Sequence, residues 1–216
     1  NYDLPFEEVL SFDPDLILIG SAALVDKGKY EQYSKIAPTF VLGDELIQDW
    51  RKTLTKIGEL LNREEQAQKV LAEYEAKVAE TKAKIAPILE GKTVAVLWLV
   101  QKSFFIVNEQ LACGAVLYGD LGLQPPALVS DLPESAKASW NPVSLEKLAE
   151  MDADYIFLVN SDGPGGKEVL EEPIWQHLPA VKEGRVYELS SSSSWLYSGA
   201  IAGTQVMEDL IRLLTD

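Results

Sequence analysis

FEEVLSFDPDLIL, residues 6–18, recurs in altered form as LEKLAEMDADYIF, residues 145–157. Glu7 of the first copy matches Glu146 of the second, an offset of 146 − 7 = 139 positions. Each copy has the pattern of a short amphipathic helix, a turn and a buried strand. The spacing is far longer than that of solenoid or propeller repeats. The repeat therefore predicts two similar α/β lobes, each with an acidic helix at the same place.

Alternating strand and helix patterns fill the rest of the chain. Short apolar runs between turn signals predict strands at residues 16–19, 39–42, 93–99, 155–159 and 186–189. A short run at 104–107 is a further candidate strand, and residues 124–141, rich in Pro, Ser and Ala, are predicted to be a loop. Strands that alternate with helices are typical of mostly parallel sheets, so the predicted fold class is α/β.

The helical pattern between the two predicted lobes sets the domain boundaries. We predict that residues 1–62 are the remainder of an N-terminal lobe, residues 63–87 a bridging helix that stops before Pro87, and residues 88–216 a C-terminal α/β lobe. The bridging segment is polar with few apolar residues, although an ordinary surface helix of one domain fits the same pattern. Because a parallel strand needs neighbours and the first repeat copy starts almost at residue 1, we expect part of the N-terminal lobe to be missing.

Composition excludes several classes of function. The net charge is −15, with 34 acidic and 19 basic residues, which argues against a nucleic-acid partner. Cys113 is the single cysteine, so an intrachain disulfide is impossible, and with His177 as the single histidine a Cys/His zinc site is implausible. We interpret Cys113 as a buried small hydrophobic residue and His177 as a packed or capping residue. No apolar run is long enough to span a membrane.

The sequence contains no recognisable catalytic constellation, since G-x-S-x-G, H-E-x-x-H and the dinucleotide-binding glycine pattern are all absent. Aromatic residues in loops near predicted strands are better candidates for a site: Trp140, Trp195 and Tyr197. Ligands of open α/β sheets bind at the carboxyl ends of the strands, where rings supply apolar contact and N–H or O–H groups orient polar atoms. Lys102 follows a strand and is a candidate cation for an anionic ligand, although a solvated lysine fits equally well.

Several segments together resemble the iron-siderophore group of ABC-transporter substrate-binding proteins, the class whose two lobes are joined by one long helix. The resembling segments, in chain order, are 7–17, 30–39, 50–67, 175–181 and 195–199. The resemblance implies two Rossmann-like lobes with mostly parallel sheets, bridged by one long α-helix. It also implies a non-enzymatic protein that captures a ferric siderophore in the cleft between the lobes and delivers it to an ABC importer.

The resemblance implies roles for individual residues near the ligand. Trp140, Trp195 and Tyr197 match positions that line the cleft in hydroxamate binders. Catecholate binders use several basic cleft residues, whereas Lys102 is the one candidate here, which favours a hydroxamate or mixed-carboxylate ligand. The siderophore itself holds the iron, so we expect neither a protein metal site nor an intrinsic cofactor.

The resemblance also implies partners and a location. Glu7 and Glu146 match the carboxylates, one per lobe, that meet arginines on the two subunits of the membrane permease. The implied protein is a monomer that lies outside the cytoplasm, as a cell-surface lipoprotein or in the periplasm. Because a ligand-contacting arginine often lies in the part that we expect to be missing, this chain should bind weakly. Two alternatives are a binding protein of the same class for haem or cobalamin, and a doubly wound α/β enzyme or scaffold protein.

Overall fold

The computed structural model of the chain describes residues 5–133 and 138–215. The chain divides into two compact units, Asn1–Lys69 and Val70–Asp216, which we call unit 1 and unit 2. The boundary between them falls inside one long helix. The predicted α/β fold class with a long helix is confirmed, and each unit contains its own β-sheet.

Unit 1 begins with a short helix and alternates strands and helices. Its elements are α1 (Phe6–Ser11), β1 (Ile17–Ile19), α2 (Lys29–Tyr33), β2 (Thr39–Val41), α3 (Asp44–Ile47) and α4 (Trp50–Leu60), with a 3₁₀ turn at Ala22–Val25. The strands β1 and β2 are parallel, with Ile17 opposite Thr39. The side chain of Asp49 accepts hydrogen bonds from the first free N–H groups of α4, which explains where that helix starts.

The long helix α5 (Glu64–Leu89) begins in unit 1 and ends in unit 2. Glu64 and Glu65 lie in its first turn, where carboxylates stabilise the positive end of the helix dipole. The prediction that this helix stops before Pro87 is wrong, since the helix continues to Leu89. Ile85 and Leu89 are both buried and lie four residues apart, so one apolar face runs past the proline. A proline in the last turn removes few helix hydrogen bonds.

Unit 2 is built on a five-stranded sheet. Its elements are β3 (Val94–Val100), β4 (Ser103–Val107), α6 (Ala112–Gly114), a π-helical segment (Ala115–Asp120), α7 (Ala127–Ser130), β5 (Trp140–Val143), α8 (Leu145–Ala149), β6 (Tyr155–Asn160), α9 (Lys167–Leu170), α10 (Pro173–Gln176), α11 (Pro179–Lys182), β7 (Val186–Ser190) and α12 (Ala200–Thr215), with 3₁₀ turns at Gly163–Gly166 and Ser194–Leu196. The strand order is β5-β4-β3-β6-β7. The strands β3, β6 and β7 are parallel, whereas β4 is antiparallel to β3 and to β5.

The sequence repeat corresponds to a repeated structure. In unit 1 the acidic helix α1 precedes β1, and in unit 2 the acidic helix α8 precedes β6. Each of these strands then pairs in parallel with the next strand of its own unit, β2 or β7. Each acidic helix also packs on a helix of its own unit, with Phe6 of α1 lying 4.7 Å from the ring of Tyr33 and α8 contacting α10. The repeat thus marks the same supersecondary unit twice.

The two faces of the sheet in unit 2 carry different side chains. The front face, as we call it, contains Val96, Trp98 and Phe157, because Val96 lies opposite Phe157 and Trp98 follows two residues later. The opposite face contains Leu99 and Phe104, which are both buried. Side chains of both faces are packed against aromatic rings from the surrounding helices and turns, so the core of unit 2 extends to both sides of its sheet.

Candidate functional site

Trp140, a predicted ligand residue, is the first residue of β5 and lies opposite Val107 of β4. This register places it on the front face of the sheet, in the neighbourhood of Trp98. The two indole rings meet edge to face, with their centroids 5.8 Å apart. Trp140 is half-buried, and its Nε1 atom has no hydrogen-bond partner among the described residues. It therefore combines accessible apolar ring surface with a donor atom that is itself shielded from solvent.

Trp195, the second predicted ligand residue, belongs to the core of unit 2. Its exposed fraction is 0%, and its ring stacks on Phe157 with a centroid distance of 5.0 Å. Its Nε1 donates a hydrogen bond to the Asp209 carboxylate at 3.0 Å. The prediction that Trp195 lines an open cleft does not fit this structure, because its ring has no exposed surface. Trp195 anchors the loop after β7 rather than offering a surface of its own.

Tyr197 stands two residues further along the same loop and differs sharply from Trp195. It is 64% exposed, and its backbone N–H donates to the Ser194 carbonyl oxygen at the end of the 3₁₀ turn. Its ring therefore projects from a loop that is fixed at both ends, by the buried Trp195 before it and by α12 after it. Of the two aromatic residues predicted in this loop, Tyr197 is the accessible one.

Lys102, the predicted cation, lies at the carboxyl edge of the sheet as expected. Gln101 and Lys102 form the two-residue turn between β3 and β4, and both have positive φ values, 50° and 58°. The Asp162 carboxylate accepts hydrogen bonds from both backbone N–H groups at 2.7 Å, which stabilises this unusual turn. A turn of two residues also explains why β4 is antiparallel to β3.

The ammonium group of Lys102 is already paired with a carboxylate. Its Nζ lies 2.7 Å from Oε2 of Glu168, with Lys102 59% exposed, and this contact raises the pKa of the lysine. An ion pair this exposed contributes little to stability. It does, however, offset the positive charge that the sequence suggested for an anionic ligand.

Sequence reasoning missed two aromatic residues on the front face. Trp98 lies in the strand predicted at 93–99, is half-buried, and has its ring centroid 5.5 Å from that of Phe105. The Trp98 Nε1 donates to the Ser161 hydroxyl at 2.8 Å. A large indole near the end of an aliphatic strand, just before a polar turn, is the signal that could have indicated partial exposure.

The two predicted docking carboxylates occupy the same position in their helices. Glu7 is the second residue of α1 and Glu146 the second residue of α8, and both side chains are exposed. At Glu146, a hydrogen bond from its own backbone N–H and a second from the Ser144 hydroxyl hold the pKa of the carboxyl below its ordinary value. Glu146 is thus ionised over the whole range of physiological pH.

Three residues have the structural roles that the sequence suggested. Cys113 is fully buried, and this burial raises the pKa of its thiol, so it is an inert packing residue. His177 ends α10, and its Nδ1 lies 2.6 Å from the Pro173 carbonyl oxygen, which makes it a capping residue. Trp175 is only 4% exposed and stacks on Phe104 at 5.1 Å.

Two properties of the described residues bear on the class of site. Within residues 5–133 and 138–215, no group of three or more His, Cys, Asp or Glu side chains could hold a metal ion. Across the same ranges, no helix combines the length and apolar character needed to cross a membrane.

Comparison with known proteins identifies the class. Residues 2–192 match the family described as Periplasmic binding protein. The match covers most of the chain, so the chain belongs to this family of substrate-binding proteins, which are not enzymes. The predicted relationship to siderophore-binding members of the family is confirmed by the relatives that follow.

Three relatives from Bacillus subtilis are informative. The Iron-uptake system-binding protein is 35% identical over 187 residues, covering 84% of this chain and 56% of that protein. The Iron(3+)-hydroxamate-binding protein FhuD is 33% identical over 189 residues, covering 85% and 58%. A crystal structure of a FhuD fold-family protein, a component of a Fep/Fec-like ferrichrome ABC transporter, has a TM-score of 0.82 at 28% identity and covers 98% of this chain and 76% of that one.

The first of these relatives also has a solved structure. FeuA, the Iron-uptake system-binding protein, was crystallised as a triscatecholate siderophore-binding protein with Ferri-Bacillibactin. That structure has a TM-score of 0.76 at 29% identity, covering 99% of this chain and 75% of that one. The chain spans little more than half the length of the first two curated relatives, 56% and 58%.

Proposed function

We propose that the protein is an extracytoplasmic solute-binding protein that captures a ferric siderophore and delivers it to an ABC importer. The observation that carries this proposal is the match to the binding-protein family together with two relatives above 30% identity that are named for iron uptake or iron-hydroxamate binding. The siderophore carries the iron as cargo, so the protein needs no metal ligands of its own. Its proposed location is the cell surface, as a lipoprotein, or the periplasm.

The proposed ligand contacts of unit 2 are Trp140 and Tyr197, the two predicted aromatic residues with accessible surface. Trp195 is buried and supports the loop that carries Tyr197. We propose that it affects ligand binding only by holding Tyr197 in position. Lys102 lies at the edge of the same sheet, but its partner Glu168 reduces the positive charge available to a ligand. The proposed site therefore binds mainly through aromatic contact and hydrogen bonds.

The charges favour a hydroxamate siderophore. Three singly charged hydroxamate groups around Fe³⁺ give a neutral complex, whereas three doubly charged catecholate groups give a complex with a triple negative charge. This chain has a net charge of −15, and the cation predicted for the site is already paired. A highly anionic complex would be repelled unless additional cations faced it. The relatives include both hydroxamate and catecholate binders, so the preference rests on this argument.

Titration of the chain with ferrichrome and with Ferri-Bacillibactin tests both the function and the preference. We expect tryptophan fluorescence to be quenched on binding of ferrichrome, with an affinity at least about tenfold higher than that for Ferri-Bacillibactin, or about 1.4 kcal/mol. The iron-free siderophores are the controls for nonspecific quenching. Tighter binding of the catecholate would contradict the charge argument. Because this chain is expected to bind weakly, only the absence of binding of either complex up to about millimolar concentration would contradict the function.

Haem is a weaker candidate cargo. An axial haem ligand would have to come from a histidine, cysteine, methionine or tyrosine side chain. His177, the single histidine, caps α10 through its Nδ1 atom, and Cys113 and both methionines, Met151 and Met207, are buried. Tyrosine side chains such as the exposed Tyr197 are the remaining candidates for an axial ligand. No observation on the described residues favours haem over a ferric siderophore.

Glu7 and Glu146 are the proposed docking residues for the permease. Reversal of either charge, Glu7→Lys or Glu146→Lys, is expected to lower importer-dependent uptake of a ferric siderophore at least about tenfold while leaving ligand affinity unchanged. The reason is that breaking a charge pair that becomes buried in an interface commonly costs about 2–5 kcal/mol. The measurement is uptake of labelled iron by cells that produce the importer and the variant protein.

Neighbouring carboxylates provide matched controls for these two variants. Glu8 lies beside Glu7 in the first turn of α1, and Glu150 follows α8, where it is paired with Lys147. Glu8→Lys and Glu150→Lys make the same charge change at exposed neighbouring positions. If they impaired uptake as strongly, the effect would reflect overall charge. If Glu146→Lys lowered ligand affinity, that residue would serve the ligand site or the fold instead.

A further inference from the structure

A groove lies beside the proposed docking residue Glu7, lined by residues of α1 and of the end of α2, and we call it the α1–α2 groove. It has a volume of about 440 Å³, room for one large side chain, and its lining residues are Phe6, Glu7, Leu10, Gln32, Lys35 and Ile36. One wall is held in place, because the ring of Phe6 packs on the buried Tyr33 of α2 with a centroid distance of 4.7 Å. Unit 1 thus has a formed groove directly beside a residue that is proposed to dock.

Leu10 gives this groove exposed apolar surface. It follows Glu7 by three residues in α1, so the two side chains lie on the same face of the helix. The side chain is well accessible, since Leu10 is 60% exposed. A carboxylate and an aliphatic side chain therefore lie where one partner can contact both.

The sequence repeat separates outward-facing positions from positions that belong to a core. Phe12 is 74% exposed, but it matches Met151 (151 − 12 = 139), which is only 2% exposed. Phe12 thus occupies a core position of the repeated unit, and its exposure does not identify a docking surface. Leu10 matches Ala149 (149 − 10 = 139), which is exposed in unit 2. Because this position faces outward in both units, Leu10 is available to a partner.

The charges favour the permease over a second copy of the chain as the occupant of the groove. Two copies repel each other, since each has a net charge of −15. A fitting partner has a basic side chain for Glu7, an acidic or polar one for Lys35 and a large apolar one for Leu10 and Ile36. The arginine that the resemblance implies for Glu7 supplies the first of these groups.

We infer that the α1–α2 groove takes a large apolar side chain of the permease next to the arginine that meets Glu7, with Leu10 as the apolar anchor of this contact. The inference rests on the proposed function and makes the two docking contacts unequal. At the matched place in unit 2, Ala149 offers a single methyl group, and Lys147 beside Glu146 is paired with Glu150 at 2.8 Å. Unit 1 therefore docks through charge and apolar contact, and unit 2 mainly through charge.

The variant Leu10→Ala tests the anchor, because it gives unit 1 the residue that unit 2 has at this place. Alanine favours helix, so α1 is retained. We expect affinity for the cognate importer, reconstituted in lipid nanodiscs, to fall about 5- to 10-fold. The factor should be the same at low and high salt, whereas Glu7→Gln should lower affinity chiefly at low salt, because salt screens charge and not apolar contact. Leu61→Ala is the matched control, since Leu61 is also a partly exposed leucine of unit 1, and it should leave affinity unchanged.

A second variant fills the groove without changing α1. Gln32 is an exposed residue of α2 that lines the groove, so Gln32→Trp places an indole where the permease side chain would enter. This variant should weaken importer binding about as much as Leu10→Ala. Ser34→Trp is its matched control, because Ser34 is exposed two residues further on and is not among the lining residues.

The outcomes separate the anchor from the docking proposal. Loss of importer binding in Glu7→Lys and Glu146→Lys, but in neither Leu10→Ala nor Gln32→Trp, would overturn the anchor and leave the docking proposal intact. An equal loss in the two controls would also overturn the anchor. No binding of the unmodified chain to the importer would overturn both. If Leu10→Ala abolished self-association in sedimentation experiments and left importer binding unchanged, the occupant would be a second copy of the chain and the inference would be wrong.

Discussion

Replacement of Gly114 by alanine is expected to lower the free energy of unfolding by about 3 kcal/mol, at the upper end of what overpacking costs. A Cβ atom at this position would lie 2.0 Å from the Asn108 carbonyl oxygen and 3.0 Å from its carbonyl carbon. That backbone cannot easily move, because the Asn108 N–H donates to the Ser139 carbonyl at 2.8 Å and the Asn108 carbonyl accepts from the N–H of Leu111. The clash is therefore with fixed backbone rather than with a flexible side chain.

A glycine five residues further on provides the matched control. Gly119 lies in the adjoining π-helical segment, and a Cβ atom there would meet nothing within 4 Å. Gly119→Ala should therefore be neutral or stabilise by up to about 1 kcal/mol, since alanine favours helical backbone. Urea unfolding followed by circular dichroism measures both variants. Equal stability of the two variants would show that the Asn108 segment yields to the added methyl group.

The same clash should affect the proposed ligand surface. Asn108 follows β4, and its bond to Ser139 holds the residue immediately before Trp140. A shift of this segment would displace Trp140 relative to Trp98. Affinity for ferrichrome should thus fall in Gly114→Ala and stay unchanged in Gly119→Ala, which links a buried glycine to the relative positions of Trp98 and Trp140.

The strands with long apolar runs were predictable from the sequence, whereas β5 was not. The runs at 93–99 and 155–159 correspond to β3 and β6, which are buried on both faces and therefore read as continuous apolar segments. The segment that contains Trp140 was expected to be a loop, yet Trp140–Val143 forms β5. It is a four-residue edge strand that contains Pro142. A proline in the sequence argues against a strand, but an edge strand tolerates one because its outer N–H groups have no partner in the sheet.

The site was predictable only in part, because exposure depends on which segments cover a ring. Trp195 and Tyr197 lie two residues apart in a serine-rich loop, and no local pattern in that loop distinguishes the buried ring from the exposed one. The contacts that decide this come from distant positions, Phe157 in β6 and Asp209 in α12. Trp98 shows the reverse. It lies in the apolar strand β3, yet its indole stays partly exposed because no neighbouring ring covers it completely.

Truncation of Trp195 to alanine is expected to cost about 3–5 kcal/mol of unfolding free energy, the range for a large aromatic residue removed from a core. The ring has no exposed surface, stacks on Phe157 and donates to Asp209, so its removal leaves a cavity and deprives the carboxylate of a donor. Tyr197→Ala is the matched control, since this neighbour is 64% exposed and its loss should change stability by no more than about 0.5 kcal/mol. Thermal and urea unfolding measure both variants.

The milder variant Trp195→Phe separates a role in the core from a role in ligand contact. Phenylalanine retains a ring to stack on Phe157 but cannot donate to Asp209, so the variant should fold with reduced stability. If Trp195 acts only through the core, ferrichrome affinity of the folded variant should stay within about twofold of the original, or about 0.4 kcal/mol. Direct contact with the ligand would instead lower affinity by about 1–3 kcal/mol, as for a lost aromatic anchor. Tyr197→Ala should show the opposite behaviour, with unchanged stability and weaker binding. The reason is that the Tyr197 ring is mostly exposed to solvent, so its removal leaves the core intact.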